Sequence, residues 1–235
     1  SIGHEAFKNC SSLTSVSLPD SLTSIGYSAF FQCDSLTSVT VPPSVTDMGM
    51  SVFNSCDDLT DVTIEDGATV IEDLMFANCG SLTNITIPGS VTVIGSNAFY
   101  RCFSLADVTI EYGVTTIGRS AFEFCSSLTS ITIPDSVTAI GSSAFHGCLN
   151  LTSIAIPDSV TAIGLWAFGY CSDLTSITIP VSVTDIQSYA FHGCSGLTDV
   201  YYGGSPDTWA GISVAENNAP LESAHLHHGS NSTPH

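Results

Sequence analysis

One step of 23 residues runs without insertion or deletion through most of this chain. Cys10, Cys33, Cys56, Cys79, Cys102, Cys125, Cys148, Cys171 and Cys194 keep it, and so do Phe7, Phe30, Phe53, Phe76, Phe99, Phe122, Phe145, Phe168 and Phe191. A unit this short cannot bury its own apolar side chains, because the conformational entropy of ordering it exceeds what one rung can gain alone. Stacking on identical neighbours is the remaining solution, so the period itself predicts a solenoid of about nine rungs.

Within a rung the pattern divides into pieces. Leu13, Val16 and Leu18 alternate with Ser15 and Ser17, the signature of a short strand with one face inward. Pro19-Asp20-Ser21 follows as a turn that ends the strand, its serine hydroxyl free to satisfy turn backbone groups. Leu22 to Ile25 reads as a second extended piece, Gly26 as a bend, and Ser28-Ala29-Phe30 as one helical turn on the side opposite the sheet. The expected class is therefore α/β: a leucine-rich repeat solenoid, or horseshoe, with short parallel strands on one side and short helical turns on the other.

Periodicity ends near Val200. Residues 1–202 form the solenoid, beginning in mid-repeat because Ser1-Ile2-Gly3 aligns with Ser24-Ile25-Gly26, which leads to the expectation of a fragment of a longer protein. Residues 203–228 read as a C-terminal cap: Ser205 can N-cap a short helix with Pro206 at its first position, and Trp209, Ile212, Val214, Leu221 and Leu226 can cover the last rung. Residues 229–235 have the composition of a flexible tail or linker.

Charge narrows the partners. Lys8, Arg101 and Arg119 stand against 22 Asp and Glu, and a net charge of -19 repels nucleic acid and anionic lipid surfaces. Ser, Thr, Gly or Pro interrupts every apolar run before it reaches the length of a membrane span, so membrane insertion is not expected. The cysteines form no C-x-x-C pair and share one inward position, which favours a row of buried thiols acting as small hydrophobes over disulfides or a metal site. No G-x-S-x-G, H-E-x-x-H or phosphate-binding glycine loop is present, so no catalytic residues, metal or cofactor are assigned. His225 and His227 share one face of a final strand without a third ligand and read as surface residues.

The units Ile133 to Ala155 (I-P-D-S-V-T-A-I-G-S-S-A-F-H-G-C-L-N-L-T-S-I-A) and Ile156 to Thr178 resemble the BspA-type leucine-rich repeat family over nearly the whole repeat region. The resemblance implies a secreted or surface-displayed protein that adheres to or binds other molecules, and it implies no catalysis. Two rungs depart from the pattern, with Glu65-Asp66-Gly67 and Glu111-Tyr112-Gly113 in place of Pro-x-Ser, a turn that uses glycine's conformational freedom.

Two departures from the Ser/Thr background are the candidate ligand-binding residues. The first is aromatic: Leu165, Trp166, Tyr170 and Tyr189, with His146 and His192, on the helical turns of three adjacent rungs. The second is acidic: Asp61, Asn84 and Asp107 occupy one strand position on three successive rungs, with Glu65 and Glu111 four residues further on. Rungs about 5 Å apart are wide for direct cation ligation, which favours a solvated strip. Together these features describe a non-enzymatic extracellular or cell-surface module, monomeric and without cofactors, that recognises a host or matrix protein or a glycan in adhesion. The competing class is a structural stalk that displays other domains. A third, an ice or mineral binder, rests only on the Thr-rich strand face, and a curved repeat array fits a flat lattice poorly.

Overall fold

The computed structural model describes residues 1–229. It is a β-solenoid in which each rung contributes to three parallel ladders. The first ladder holds the strands Ser38–Val41, Asp61–Ile64, Asn84–Ile87, Asp107–Ile110, Ser153–Ala155, Ser176–Ile179 and Asp199–Tyr202. The second is made of two-residue strands such as Val70–Ile71, Val93–Ile94 and Thr116–Ile117. Pairing is parallel with a register of one repeat, as in Asn84 opposite Asp107 and Ser176 opposite Asp199.

The third ladder corrects the sequence expectation. Where helical turns were expected there is no helix: among the described residues the only helices are Pro206–Trp209 and Ala219–Ser223, both in the C-terminal segment. Each arc instead sends its N–H groups to the next rung. Those of Ser28, Phe30 and Gln32 donate to the carbonyls of Met50, Val52 and Asn54 at 3.0, 2.9 and 3.0 Å. Donors committed in this way are lost to intrahelical bonds, and only tight turns such as Phe31 N to Ser28 O, at 3.1 Å, remain. Two residues per arc, here Ser28 (φ 51°) and Gln32 (φ 55°), take the left-handed conformation that swings successive N–H groups to one side.

The core is a column. Phe7 through Phe191 stack ring on ring in eight successive pairs, with centroids 5.1 to 5.6 Å apart and planes within 16°. Beside it runs the cysteine row, and all nine thiols are free. They do more than fill space. Each Sγ from Cys33 onward donates to the phenylalanine carbonyl of the rung before, for example Cys56 to Phe30 at 3.2 Å and Cys102 to Phe76 at 3.1 Å. Cys10 departs from the expectation of uniform burial and is exposed, because no described residue covers the outer face of the first rung. A thiol reagent should therefore label one cysteine in the native protein and nine after unfolding without reductant. A count below nine in the unfolded chain would mean disulfides.

The turns use their serines as expected: Ser182 Oγ donates to Val160 O at 2.7 Å, and Ser159 Oγ to Val137 O. In the two Glu-x-Gly turns, Gly67 and Gly113 take φ of 140° and 142°, and their N–H groups donate to Ser90 and Ser136 Oγ at 3.1 Å.

At the C-terminal end the ladders continue into non-repeating sequence. Ser213–Val214 pairs with Asp185–Ile186, and His225–His228 pairs with Asp199–Tyr202. Ser205 caps the first helix by accepting from Thr208 N at 3.3 Å, with Pro206 in its first turn. Leu221 is buried, and Trp209, Ile212, Val214 and Leu226 pack partly buried on the last rung. The last arc's N–H groups also need acceptors. Glu216 O takes Tyr189 N at 3.1 Å, and the fully buried Asn218 takes Phe191 N on Oδ1 at 3.0 Å while its Nδ2 donates to Gln187 O and Ala215 O. Residues 230–235, most of the expected tail, lie outside the described residues.

Candidate functional site

The arcs place three columns of side chains on one face of the solenoid. One column is the first left-handed position: Glu5, Ser28, Ser51, Leu74, Asn97, Ser120, Ser143, Trp166 and Tyr189, all with φ between 51° and 61°. The second left-handed position holds Arg101, Phe124, Gly147, Tyr170 and Gly193 on successive rungs. Between them lies a column that includes Tyr100, Glu123, His146, Gly169 and His192.

Four of the first column's residues are serine and one is asparagine, whose short polar side chain suits this conformation. Trp166, Tyr170 and Tyr189 do not suit it. A bulky L residue held left-handed costs roughly 1–2 kcal/mol, and here three stand together.

Packing explains how they are held. Trp166 stacks on Tyr189 with centroids 4.4 Å apart and planes 12° apart, and lies parallel to Tyr170 at 5.9 Å. His146 meets the edges of Trp166 and Tyr170 at 5.4 and 5.5 Å. His192 does the same for Trp166, Tyr170 and Tyr189 at 5.3 to 5.5 Å. Glycine on the following rung makes the room. A Cβ on Gly169 would stand 2.8 Å from His146 Nδ1 and 2.6 Å from Trp166 Cε3, and one on Gly193 would stand 2.7 Å from Tyr170 Cδ1. Tyr170 remains 47% exposed and Leu165 40%, while Trp166, Tyr189, His146 and His192 are half-buried.

The sequence-predicted aromatic residues thus come together, except that Leu165 lies at the margin, its N–H held by Gln187 Oε1 at 3.0 Å. The group also extends beyond them. His146 contacts Phe124 at 5.4 Å, Phe124 contacts Tyr100 at 5.9 Å, and the Arg101 guanidinium lies over Tyr100 and Phe124 at 5.1 and 5.8 Å. The signal for this seam was present as a 23-residue offset between a ring and a glycine: Phe124 with Gly147, His146 with Gly169, Tyr170 with Gly193.

Arg101 brings a positive charge to one end of the seam, and no Lys or Arg of the described residues lies over the rings of Trp166, Tyr170 or Tyr189. Burial pushes the His146 imidazole below its ordinary range, partly opposed by the Glu123 carboxylate, so it is neutral at neutral pH. Its Nδ1 is enclosed and has no hydrogen-bond partner among the described residues.

The acidic strip is exposed throughout, and its members act locally. Asn84 Nδ2 donates to Thr83 Oγ1 at 3.1 Å, and Glu111 Oε2 accepts Gly89 N at 2.9 Å, so Glu111 caps the turn of the preceding rung. Asp61 and Asn84 line a gap of about 310 Å³ where hydrogen-bonded pairing between their strands is interrupted. Among the described residues no group of three or more His, Cys, Asp or Glu is placed to hold a metal. Among the described residues no helix is long and apolar enough to cross a membrane.

The comparisons agree with this architecture. A leucine-rich cell surface protein from Faecalibacterium prausnitzii A2-165 is 31% identical, with 90% of this chain and 71% of that one covered at a TM-score of 0.54. The leucine-rich repeat protein of T. pallidum is 27% identical, with 78% of each chain covered at a TM-score of 0.55. A leucine-rich repeat protein from Bacteroides ovatus ATCC 8483, at 22% identity, shares the fold, with 97% of this chain and 81% of that one covered and a TM-score of 0.56. Among curated proteins none matches the sequence. The model of the BspA-type leucine-rich repeat region matches residues 1–106 and 92–210 in six copies, and the chain belongs to that family.

Proposed function

We propose that this chain is a non-enzymatic binding module of a secreted or surface-displayed bacterial protein, and that it contacts a protein or glycan ligand in adhesion through the aromatic seam. The observation that carries the reading is the set of three bulky aromatic residues brought together at left-handed positions that serine, asparagine or glycine fills on most other rungs. The Phe column, the thiol row and the ladders already hold those rungs together, so stability alone does not call for the rings. The surface setting is supported by the related F. prausnitzii protein, which is described as a cell surface protein. The thiols from Cys33 onward are buried, and burial pushes those of Cys102 and Cys194 up to about 12, which leaves them protonated and weakly nucleophilic.

The test uses the chain's own alternatives. Trp166→Ser and Tyr189→Ser install the residue that Ser120 and Ser143 present in the same conformation. In a pull-down from host or matrix extract, the double variant should lose at least about tenfold in affinity for the captured ligand while its melting temperature stays within a few degrees. Normal capture with a melting temperature several degrees lower would make the seam packing. If even the unaltered chain captures nothing while a longer form of the protein does, the chain is a stalk.

A further inference from the structure

We propose that the open end of the seam, around Trp166, Tyr170 and Tyr189, seats the guanidinium or ammonium groups of a basic protein segment. The proposal rests on the reading of the seam as a binding surface and specifies its partner.

The chain shows the chemistry on itself. Only three basic residues occur in it, and two lie on aromatic rings of this face. Lys8 Nζ, ion-paired with Glu5 Oε1 at 2.6 Å, also stands 5.7 Å from the centroid of Phe31, which holds its own position one rung later. Arg101 rests over Tyr100 and Phe124. Arg101 also stands in the column that Tyr170 occupies three rungs on. The largest ring group on the face is the one over which no Lys or Arg of the described residues lies. A cation is drawn to the negative face of an aromatic ring, most strongly where the ring is held still and partly desolvated.

The surroundings favour the same occupant. His146 is neutral and adds no opposing charge. Glu123 precedes it by one rung in the same column and supplies a carboxylate. Leu165 offers apolar surface for the methylene stem of an arginine or lysine. At longer range, a net charge of -19 steers basic chains toward the protein and repels acidic ones, including sulfated and uronic-acid glycans. A neutral glycan gains nothing from that field and is the outcome to be set against the proposal.

The probe is a short fluorescent peptide of alternating arginine and serine, paired with its citrulline counterpart, which keeps the planar group and removes the charge. Binding is read by anisotropy in about 0.15 M salt, where attraction between distant exposed charges is largely screened. The protein is the full chain and its variant Trp166→Ser/Tyr170→Gly/Tyr189→Ser, each replacement being what another rung carries in the same backbone conformation. The arginine peptide should bind the variant about tenfold more weakly than the unaltered chain, and the citrulline peptide should bind the unaltered chain at least about tenfold more weakly than the arginine peptide. Tyr170→Gly alone, at the most exposed ring, should give a loss of about threefold and covers the case in which the triple variant unfolds.

The triple variant keeps the net charge, so equal affinity of the arginine peptide for both proteins would reduce the effect to general attraction and overturn the proposal. Equal binding of arginine and citrulline peptides would overturn it as well. If the seam variants lose their captured ligand in the pull-down while the arginine peptide fails to distinguish them, the cation assignment falls and the binding surface stands.

Discussion

Replacing Phe99 by alanine should cost about 3–5 kcal/mol, and replacing Phe7 by alanine should cost less than half of that. Both side chains occupy the same repeat position, so the difference isolates what stacking contributes. Phe99 is fully buried between Phe76, 5.5 Å away, and Phe122, 5.2 Å away. Phe7 has one such neighbour, Phe30 at 5.1 Å, and is 38% exposed. A cavity at position 99 also has little means of closing. The rungs on either side are held at fixed spacing by backbone bonds from Phe76 N to Ala98 O and from Phe99 N to Ala121 O, both near 2.9 Å, which the substitution leaves in place. A site that cannot collapse keeps its full cavity, which places the cost at the upper end of the range. Denaturant unfolding of the two variants measures the pair, and equal shifts in midpoint would mean that the Phe column contributes burial without coupling between rungs.

What was legible in the sequence follows from what repeats. Period, parallel pairing, inward alternation and the Ser205 cap each depend on one residue type at one spacing, and the structure reproduces them. Ser-Ala-Phe has ordinary helical propensity, so the sequence points to a helical turn that the arcs do not form. What prevents a helix is the commitment of each arc's N–H groups to the next rung, which no single repeat records. The thiols' hydrogen bonds are hidden for the same reason, since their acceptor, a phenylalanine carbonyl, lies 26 residues back. Asn218 stands outside the periodicity, so its role at the last arc could be found only by following which backbone donors had lost their next rung. At the seam the aromatic residues were visible, while the conformation that makes them unusual was not. That conformation follows from the serines and asparagine at the same position in other rungs, read together with the backbone.

Raising the pH from about 8 to about 10.5 should unfold the solenoid cooperatively, with the thiols as the cause. In an unfolded chain cysteine titrates near pH 8.5. In the fold, burial pushes Cys33 up to about 11 and Cys56, Cys102 and Cys194 up to about 12, and raises Cys79, Cys125, Cys148 and Cys171 as well. Between the unfolded and folded values the native state keeps protons that the unfolded state has released. The thiol contribution is therefore fully present below about pH 8.5 and is lost as pH rises above it. Each such thiol contributes a slope of about 1.4 kcal/mol per pH unit, and the eight raised ones together give on the order of 10 kcal/mol per unit. A domain of ordinary stability, about 5–15 kcal/mol, is exhausted within one to two units of such a slope. Circular dichroism should show a sharp transition near pH 10, with thiolate absorbance rising in step with it. The variant Cys79→Ala/Cys102→Ala/Cys125→Ala separates this cause from general alkaline damage. It gives up three S–H donors and some packing, so it should be less stable at pH 7, yet with five raised thiols in place of eight it should lose stability more gradually as pH rises. Thiolate absorbance that rises at about pH 9 while the circular dichroism stays unchanged would show that the thiols ionise within the intact solenoid, and the linkage would not hold.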